Sequence, residues 1–511
     1  MNKKWFRALF RQRMLIALLL ILQFLFMIYL LVSSSATSDV IAGVLKIISV
    51  VVSLYIFSRK DKSAYKLTWV FIILLFPLFG GLFYLMFNFQ STSKASAAKV
   101  DSLSKKSRPY FHLPDTDLEQ AKKELPQASA SLNYIQDFAG FPVYGDNHTK
   151  YLSPGEDMFE QLLLQIEKAE KYIFLEYFII QEGKMWNTVL EILKRKASAG
   201  VKVRLIYDDM GCFFLLPKGY PAYLKKFGIE CVIFNPFRPF LSVIQNNRDH
   251  RKIASIDGKV AFTGGINLAD EYINAYEKHG HWKDSAIMVS GKAAWGLTVI
   301  FLQMWELCTR LNENYADYYP WDNSSCPTSG SGFCVPYCDS PLDTENVGEH
   351  VYLQIINGAK DYVYINTPYL IIDSSMVSAL TLAAKSGVDV RIVTPHIADK
   401  FYVHAATRSY YRELIDAGVK IYEYTNGFIH SKTFVSDDYV ATVGTTNLDF
   451  RSLYLQFECG VLMYNTTAVS QIKEDFLTTL EICQLITKED CKYNLITRLF
   501  QDILRLIAPL M

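Results

Sequence analysis

His250, Lys252 and Asp257 stand in the stretch HRKIASID, and His430, Lys432 and Asp437 stand at the same spacing in HSKTFVSD. A neutral imidazole is a usable nucleophile near neutral pH, and an ammonium two residues away can hold an anionic oxygen while keeping its own proton. That combination suits attack on phosphorus. One such triplet would carry little weight, because short patterns recur by chance. Here the flanks recur too: Gly264, Gly265 and Asn267 follow the first copy in TGGINLADE, and Gly444 and Asn447 follow the second in VGTTNLDFR.

Two triplets facing one cleft make a complete route through a phosphodiester. One histidine attacks and carries a covalent phosphohistidine, while the other protonates the leaving alcohol and then deprotonates the incoming one. The two lysines and the nearby asparagines would hold the non-bridging oxygens as charge builds. This chemistry needs no metal and no cofactor. If the histidines were merely satisfied surface residues, the matched flanks would have to be accidental.

The elements that must position these groups also repeat. A histidine and a lysine one residue apart share a face of an extended chain, and the apolar residues after them read as a strand that ends near the aspartate. Upstream, the apolar run EKAEKYIFLEYFII (167–180), a helical stretch and ASAGVKVRLIYDD (197–209) are matched by GAKDYVYINTPYLI (358–371), a helical stretch and AKSGVDVRIVTPH (384–396). FGIECVIFN (227–235) and AGVKIYEYTNG (417–427) then precede each histidine. Apolar strands alternating with helices predict an α/β fold, its sheets covered on both faces and partly parallel. The two halves, at 131–320 and 340–511, are expected to meet about a pseudo-two-fold axis with one triplet from each in a central cleft.

The N-terminal part differs in composition. Residues 14–32, 40–57 and 67–87 are apolar runs read as two or three transmembrane segments within an anchor at 1–88, the third containing Pro77, Gly80 and Gly81. Lys3, Lys4, Arg7, Arg11 and Arg13 place the N-terminus in the cytoplasm, and Arg59, Lys60, Lys62 and Lys66 favour the same side for the loop before the third segment. Residues 89–130 are read as a linker, its polar, serine-rich start at 88–108 as a tether. The C-terminal stretch ITRLFQDILRLIAPLM fits either an amphipathic helix on a bilayer or a helix packed on the domain. A net charge of +1 gives no support for a nucleic-acid partner. The nine cysteines form no CxxC pair; Cys326, Cys334 and Cys338 cluster between the halves without a fourth ligand for zinc and are read as part of a linker loop.

The paired HxKxxxxD motifs resemble the phospholipase D superfamily. The longer phrases IFLEYFII, RLIYDDMG, NNRDHRKIASIDGKVAFTGGINLADEY, HWKDSA, INTPYL, FIHSKT and VGTTNLDFRSLYLQFE are similar to those of bacterial cardiolipin synthases, and the likeness runs from residue 63 to the terminal APLM. The resemblance implies two phospholipase D-like halves in a multi-pass protein of the bacterial cell membrane. It also implies transfer of a phosphatidyl group from one phosphatidylglycerol to the hydroxyl of a second, giving cardiolipin and glycerol. By the family pattern His250 and His430 are the catalytic pair, Lys252 and Lys432 lie on phosphate, Asp257 and Asp437 complete the motifs, and Asn267, Asn447 and Glu458 support them; of the pair, His250 is taken as the nucleophile and His430 as acid and base. Gln456 departs from the asparagine expected there, and the hydrophobic segment at 14–32 precedes the two usually expected. Hydrolysis to phosphatidic acid and transfer to another alcohol use the same residues and remain alternatives; a nuclease is disfavoured by the apolar segments and neutral charge, and a non-catalytic scaffold by the intact histidines.

Overall fold

The computed structural model describes residues 36–59, 62–76, 91–114, 116–237, 246–321 and 330–510, with Ile21, Leu25, Ile28, Tyr29, Gly81 and Tyr84 as isolated positions. The remainder of the 14–32 segment, the basic residues Lys3 to Arg13, Lys60, Pro77, Gly80 and Cys326 lie outside the described residues.

The chain divides into two compact units. The first comprises Met1–Ala95, Phe237–Asn246 and Arg505–Met511. The expected segments at 40–57 and 67–87 correspond here to helix Ala36–Ser58 and, in part, to helix Ser63–Leu75. A small cluster of Val52, Ile56, Trp69, Ile73 and Tyr84 is buried, with Trp69 edge-on to Tyr84 at 5.2 Å between ring centres. Thr68 Oγ1 donates to the Leu506 carbonyl at 2.7 Å, fastening the end of the chain to the second helix. Among the described residues no helix is long and apolar enough to cross a membrane.

The second unit, Ser96–Pro236 and Asn247–Leu504, is built from two sheets. The first contains β1 (Asn147–Leu152), β2 (Tyr172–Tyr177), β3 (Lys202–Asp208), β4 (Ile229–Phe234), β5 (Lys252–Ile256), β6 (Val260–Gly264) and β7 (Ala286–Gly291), in the order β1-β7-β6-β5-β2-β3-β4. The second contains β8 (Phe333–Asp339), β9 (Tyr362–Asn366), β10 (Asp389–Pro395), β11 (Lys420–Tyr424), β12 (Thr433–Ser436), β13 (Val440–Gly444), β14 (Gln456–Tyr464) and β15 (Cys483–Ile486). Its order, β8-β14-β13-β12-β9-β10-β11, repeats the first and adds β15 at the end. In both, the strands leading into the motif, β2-β3-β4 and β9-β10-β11, are parallel, and the motif strands β5 and β12 return antiparallel beside β2 and β9. The repeated α/β architecture is as the apolar runs predict.

Helix Lys292–Thr309 explains how the two sheets share one core. Every residue from Ala293 to Leu302 is buried, so the helix is apolar all round, as one enclosed between sheets must be. On one side Phe301 stacks on Phe174 of β2 at 4.8 Å and Thr298 shares a hydrogen bond with Ser255 of β5. On the other, Gly296 lies so close to Pro336 of β8 that an added Cβ would meet the proline ring at 3.0 Å.

Two features differ from the reading of the sequence. The stretch taken as a tether holds a helix, Ser91–Phe111, with Val100, Leu103 and Phe111 buried; Trp295 Nε1 donates to its Tyr110 carbonyl at 2.7 Å, and Tyr144 Oη to its Phe111 carbonyl at 2.6 Å. Its serines and lysines hide a sparse apolar stripe, which composition alone does not reveal. Cys334 and Cys338 are not in a loop but in β8, which begins before residue 340; both are free thiols whose pKa burial raises. Pro336 disguises this strand, and its place at the sheet edge is where a proline without an N–H is tolerated.

Candidate active site

Each motif histidine is hung on the opposite half of the chain. Arg248–Asp249 pairs in parallel with Gln456–Phe457, and the next N–H, that of His250, donates to the Phe457 carbonyl at 2.9 Å. In the second motif Gly427–Ile429 pairs in parallel with His281–Lys283, and His430 N donates to the Lys283 carbonyl at 2.7 Å. The residue after each anchoring carbonyl is a carboxylate that meets the imidazole. His250 Nδ1 lies 2.9 Å from Glu458 Oε1, and His430 Nδ1 lies 2.6 Å from Asp284 Oδ2.

This arrangement sets the tautomers. An acceptor-only carboxylate requires Nδ1 to carry the hydrogen, so Nε2 of each ring keeps its lone pair. Burial pushes both histidines down to about 4, with the Lys252 and Lys432 charges acting in the same direction against the pull of Glu458 and Asp284. Burial alone would raise the two carboxylates, but the neighbouring histidine and lysine charges outweigh it and hold both below their ordinary values. The state that follows is a neutral imidazole on an ionised carboxylate. Thr445 Oγ1 also donates to Glu458, and Ser285 N donates to Asp284 Oδ1 at 2.7 Å, so neither carboxylate is free to rotate.

The lysines share the field. Lys252 Nζ donates to the His250 carbonyl at 2.6 Å, and Lys432 Nζ makes the matching bond to His430 O. Burial lowers Lys252 to about 8 and Lys432 to about 7. Lys432 acts electrostatically on His250, and Lys252 on His430, so the two motifs form one site. Around it, Phe178 is edge-on to His250 at 5.1 Å, whereas His430 has three aromatic neighbours: Tyr272, Trp282 and Phe428.

The aspartates do not join the histidines. Asp257 accepts hydrogen bonds from the backbone N–H groups of Glu170, Lys171 and Tyr172 at 2.7–2.8 Å, and Asp437 from those of Lys360, Asp361 and Tyr362 at 2.7–3.0 Å. Both have left-handed backbone, φ 52° and 50°, a conformation aspartate tolerates better than most residues. A whole strand separates each from its lysine, roughly 16 Å at ~3.3 Å per residue. They clasp the start of β2 and β9 to the end of the motif strand, away from the histidines they were grouped with. Asn267 is likewise committed, accepting from Ile179 N at 2.9 Å and donating to Tyr272 Oη at 2.8 Å. Asn447 differs, since its buried Oδ1 has no partner among the described residues. Gln456 is placed by its backbone pairing with Arg248 and accepts from Ser452 Oγ at 3.3 Å.

The motifs alone leave Asp284 unnoticed. Its signal lies in the repeat: HWKDSA leads into β7 and LQFECG opens β14, the matching strand, so Asp284 occupies the place of Glu458. Between the motif residues, Arg251 points the other way, donating to the carbonyls of Glu458 and Asp339 at 3.2 Å with Nη1 3.9 Å from Glu176. Burial raises the carboxyls of Glu176 and Asp249, with the Arg251 charge opposing.

The family model described as cardiolipin synthase, phospholipase D-like domain, matches residues 162–305 and 352–480, one segment around each histidine. The chain belongs to this family of cardiolipin synthases. A further model, described as phospholipase D-nuclease N-terminal, matches residues 47–87. The cardiolipin synthase of Alkalihalophilus pseudofirmus is 34% identical over 470 residues, covering 90% of this chain and 92% of that one. A Streptococcus mutans protein described as uncharacterized is 44% identical over 463 residues, covering 90% and 99%. The crystal structure of a phosphatidylserine synthase from Haemophilus influenzae, 14% identical, superposes with a TM-score of 0.57 over 74% of this chain and 96% of its own. At that identity the likeness is one of fold. In this member of the cardiolipin synthase family, both motif histidines, both lysines and both orienting carboxylates are in place.

Proposed function

We propose that this protein is a cardiolipin synthase that transfers a phosphatidyl group between two phosphatidylglycerol molecules. The observation that carries the reading is the pair of buried imidazoles, each with Nδ1 bound to a fixed carboxylate, Nε2 keeping its lone pair, and a buried lysine bonded to the histidine's own backbone carbonyl. His430, neutral in the empty site, takes a proton from solvent at Nε2 as the anionic phosphate binds beside it; His250 Nε2 then attacks phosphorus, the P–O bond to glycerol breaks, and His430 gives that proton to the departing glycerol oxygen. A hydroxyl of the second phosphatidylglycerol then loses its proton to His430 and attacks phosphorus, breaking the P–N bond to release cardiolipin and neutral His250. Lys252 and Lys432 stabilise the non-bridging oxygens in both steps, and the buried, unpaired Asn447 amide oxygen accepts from a substrate hydroxyl.

Membrane attachment is part of the same proposal. The apolar runs 14–32, 40–57 and 67–87 anchor the chain in a bacterial membrane, with the basic N-terminus in the cytoplasm. Supporting this, Leu54, Leu67 and Leu74 of the two described N-terminal helices are exposed despite being large and apolar. Retention in the membrane pellet after alkaline carbonate extraction is the expected result, and release into the supernatant would remove the anchor.

Purified protein supplied with phosphatidylglycerol alone tests the reaction. Cardiolipin and glycerol are the expected products; phosphatidic acid alone would make water the acceptor and the protein a phospholipase.

A further inference from the structure

The C-terminal helix Leu495–Ile507, LITRLFQDILRLI, packs the wrong way round for a helix on a water-soluble surface. Gln501 and Leu504 are buried, while Leu495, Ile496 and Leu499 are 82%, 80% and 59% exposed and Phe500 and Ile503 are exposed as well. At 100° per residue, Leu495, Leu499, Ile503, Ile496 and Phe500 form one outward stripe, and Arg498, Asp502 and Arg505 lie along its edge. A helix that only completes the domain would turn that stripe inward.

The stripe continues toward the catalytic cleft. Phe500 stacks on Phe401, itself 76% exposed, at 6.1 Å. Tyr402 and Ile397 are exposed beside it in sequence, and Lys400 carries a half-exposed ammonium. Asp399, next in line, accepts from Tyr369 Oη at 2.6 Å, and Tyr369, Ala398, Asp399, His404 and Phe428 line one small pocket. Phe428 is the ring beside His430, 6.1 Å away. An apolar surface edged by Arg498 and Lys400 thus runs to the wall of the candidate site.

We infer that this surface, the Leu495–Ile507 helix together with Ile397–Tyr402, lies on the face of an anionic phospholipid bilayer and delivers lipid to the His430 side of the cleft. The inference rests on the proposed synthase reading for its substrate, and three observations select lipid over a protein partner. The stripe consists of aliphatic and phenylalanine side chains, its edge carries arginines whose stems can lie along acyl chains while their heads reach phosphate, and it leads to the residues that would transfer a phosphatidyl group.

The test uses the full chain in phosphatidylcholine nanodiscs containing phosphatidylglycerol, with a phosphatidylcholine that bears a diazirine on its acyl chain as a non-substrate probe. Photolabelling mapped by mass spectrometry is expected on peptides covering 495–507 and 397–402, equally in wild type and His430→Ala. The double variant Leu499→Asp/Ile503→Asp should lose that labelling. Its cardiolipin synthesis from bilayer lipid should fall about ten-fold, while turnover of short-chain phosphatidylglycerol in detergent micelles stays within about two-fold. Cardiolipin synthesis with these peptides unlabelled would overturn the docking surface and leave the synthase reading standing; labelling without cardiolipin would uphold the surface and remove the synthase reading. Cross-linking of the helix to a second copy in place of lipid would overturn it in favour of self-association.

Discussion

His430 takes its orienting carboxylate, Asp284, from the other half of the chain, at 2.6 Å from Nδ1, and His250 takes Glu458 in return at 2.9 Å. Neither half contains both a motif histidine and the carboxylate that orients it. The Asp284→Asn and Glu458→Gln variants keep the shape but remove the charge that fixes the tautomer. Each should lower kcat about 10–100-fold with KM nearly unchanged, as measured by cardiolipin formation. Wild-type kcat in both would show that the carboxylates do not orient the rings.

The lowered pKa values set a pH window. The histidines stay neutral down to about 4, whereas Lys432 and Lys252 lose their protons around about 7 and about 8. In the substrate complex the attacking His250 must be neutral, the lysines charged and His430 protonated by the bound phosphate's field, so kcat should rise from the acid side well below the ordinary histidine value of 6.5 and fall above neutrality. Lys432→Arg, always charged, should move the alkaline limb upward; an unmoved limb would assign it to another group.

Stability should follow the same groups with a definite sign. Between the unfolded histidine value of 6.5 and about 4 in the fold, the unfolded chain binds more protons, so stability falls as pH drops through that interval. His250→Gln, examined by thermal unfolding at several pH values, should flatten that dependence. An equally steep slope in the variant would place the titration elsewhere.

Asp257→Asn and Asp437→Asn should affect folding more than chemistry. Each wild-type carboxylate satisfies three backbone N–H groups at a strand start, and weakening them should cost about 1–3 kcal/mol per site. The two sites share no partner, so the costs should add. Thermal unfolding measures the loss, while kcat per folded molecule should stay near wild type. A collapse of kcat with stability unchanged would return the aspartates to the reaction.

Arg251→Leu should be the most damaging of these changes. The guanidinium faces Glu176 and Asp249 and holds the Glu458 and Asp339 carbonyls, and an unpaired buried carboxyl typically costs about 3–5 kcal/mol. Adding Glu176→Leu should restore part of the loss in chemical denaturation. No recovery would mean that the carbonyl bonds, rather than the charge pairing, matter most.

The lysine–histidine pairs were legible because a motif repeated with its flanks is a local signal, and the parallel strands because they are continuous apolar runs. Asp284 was harder to see, since its role depends on a contact across the halves and the stretch EYINAYEKHGHW before it has no counterpart before Glu458. Asp257 and Asp437 are constant in spacing but lie at the turn at the far end of the strand, a place that the motif's spacing alone does not show. β8 was concealed by Pro336, and the helix at Ser91–Phe111 by its serines, because in both the burying surface is set by neighbours distant in sequence.

The reciprocal ladders at His250 and His430 make the halves interlock as two protomers of an isologous dimer do. Joined in one chain, they are released from the requirement of identity that such a dimer would impose. One ring has come to face Phe178, while the other sits among Tyr272, Trp282 and Phe428. A symmetric scaffold can therefore give its two imidazoles separate duties, and a chain cut between the halves would leave each with a ring and no carboxylate to hold it.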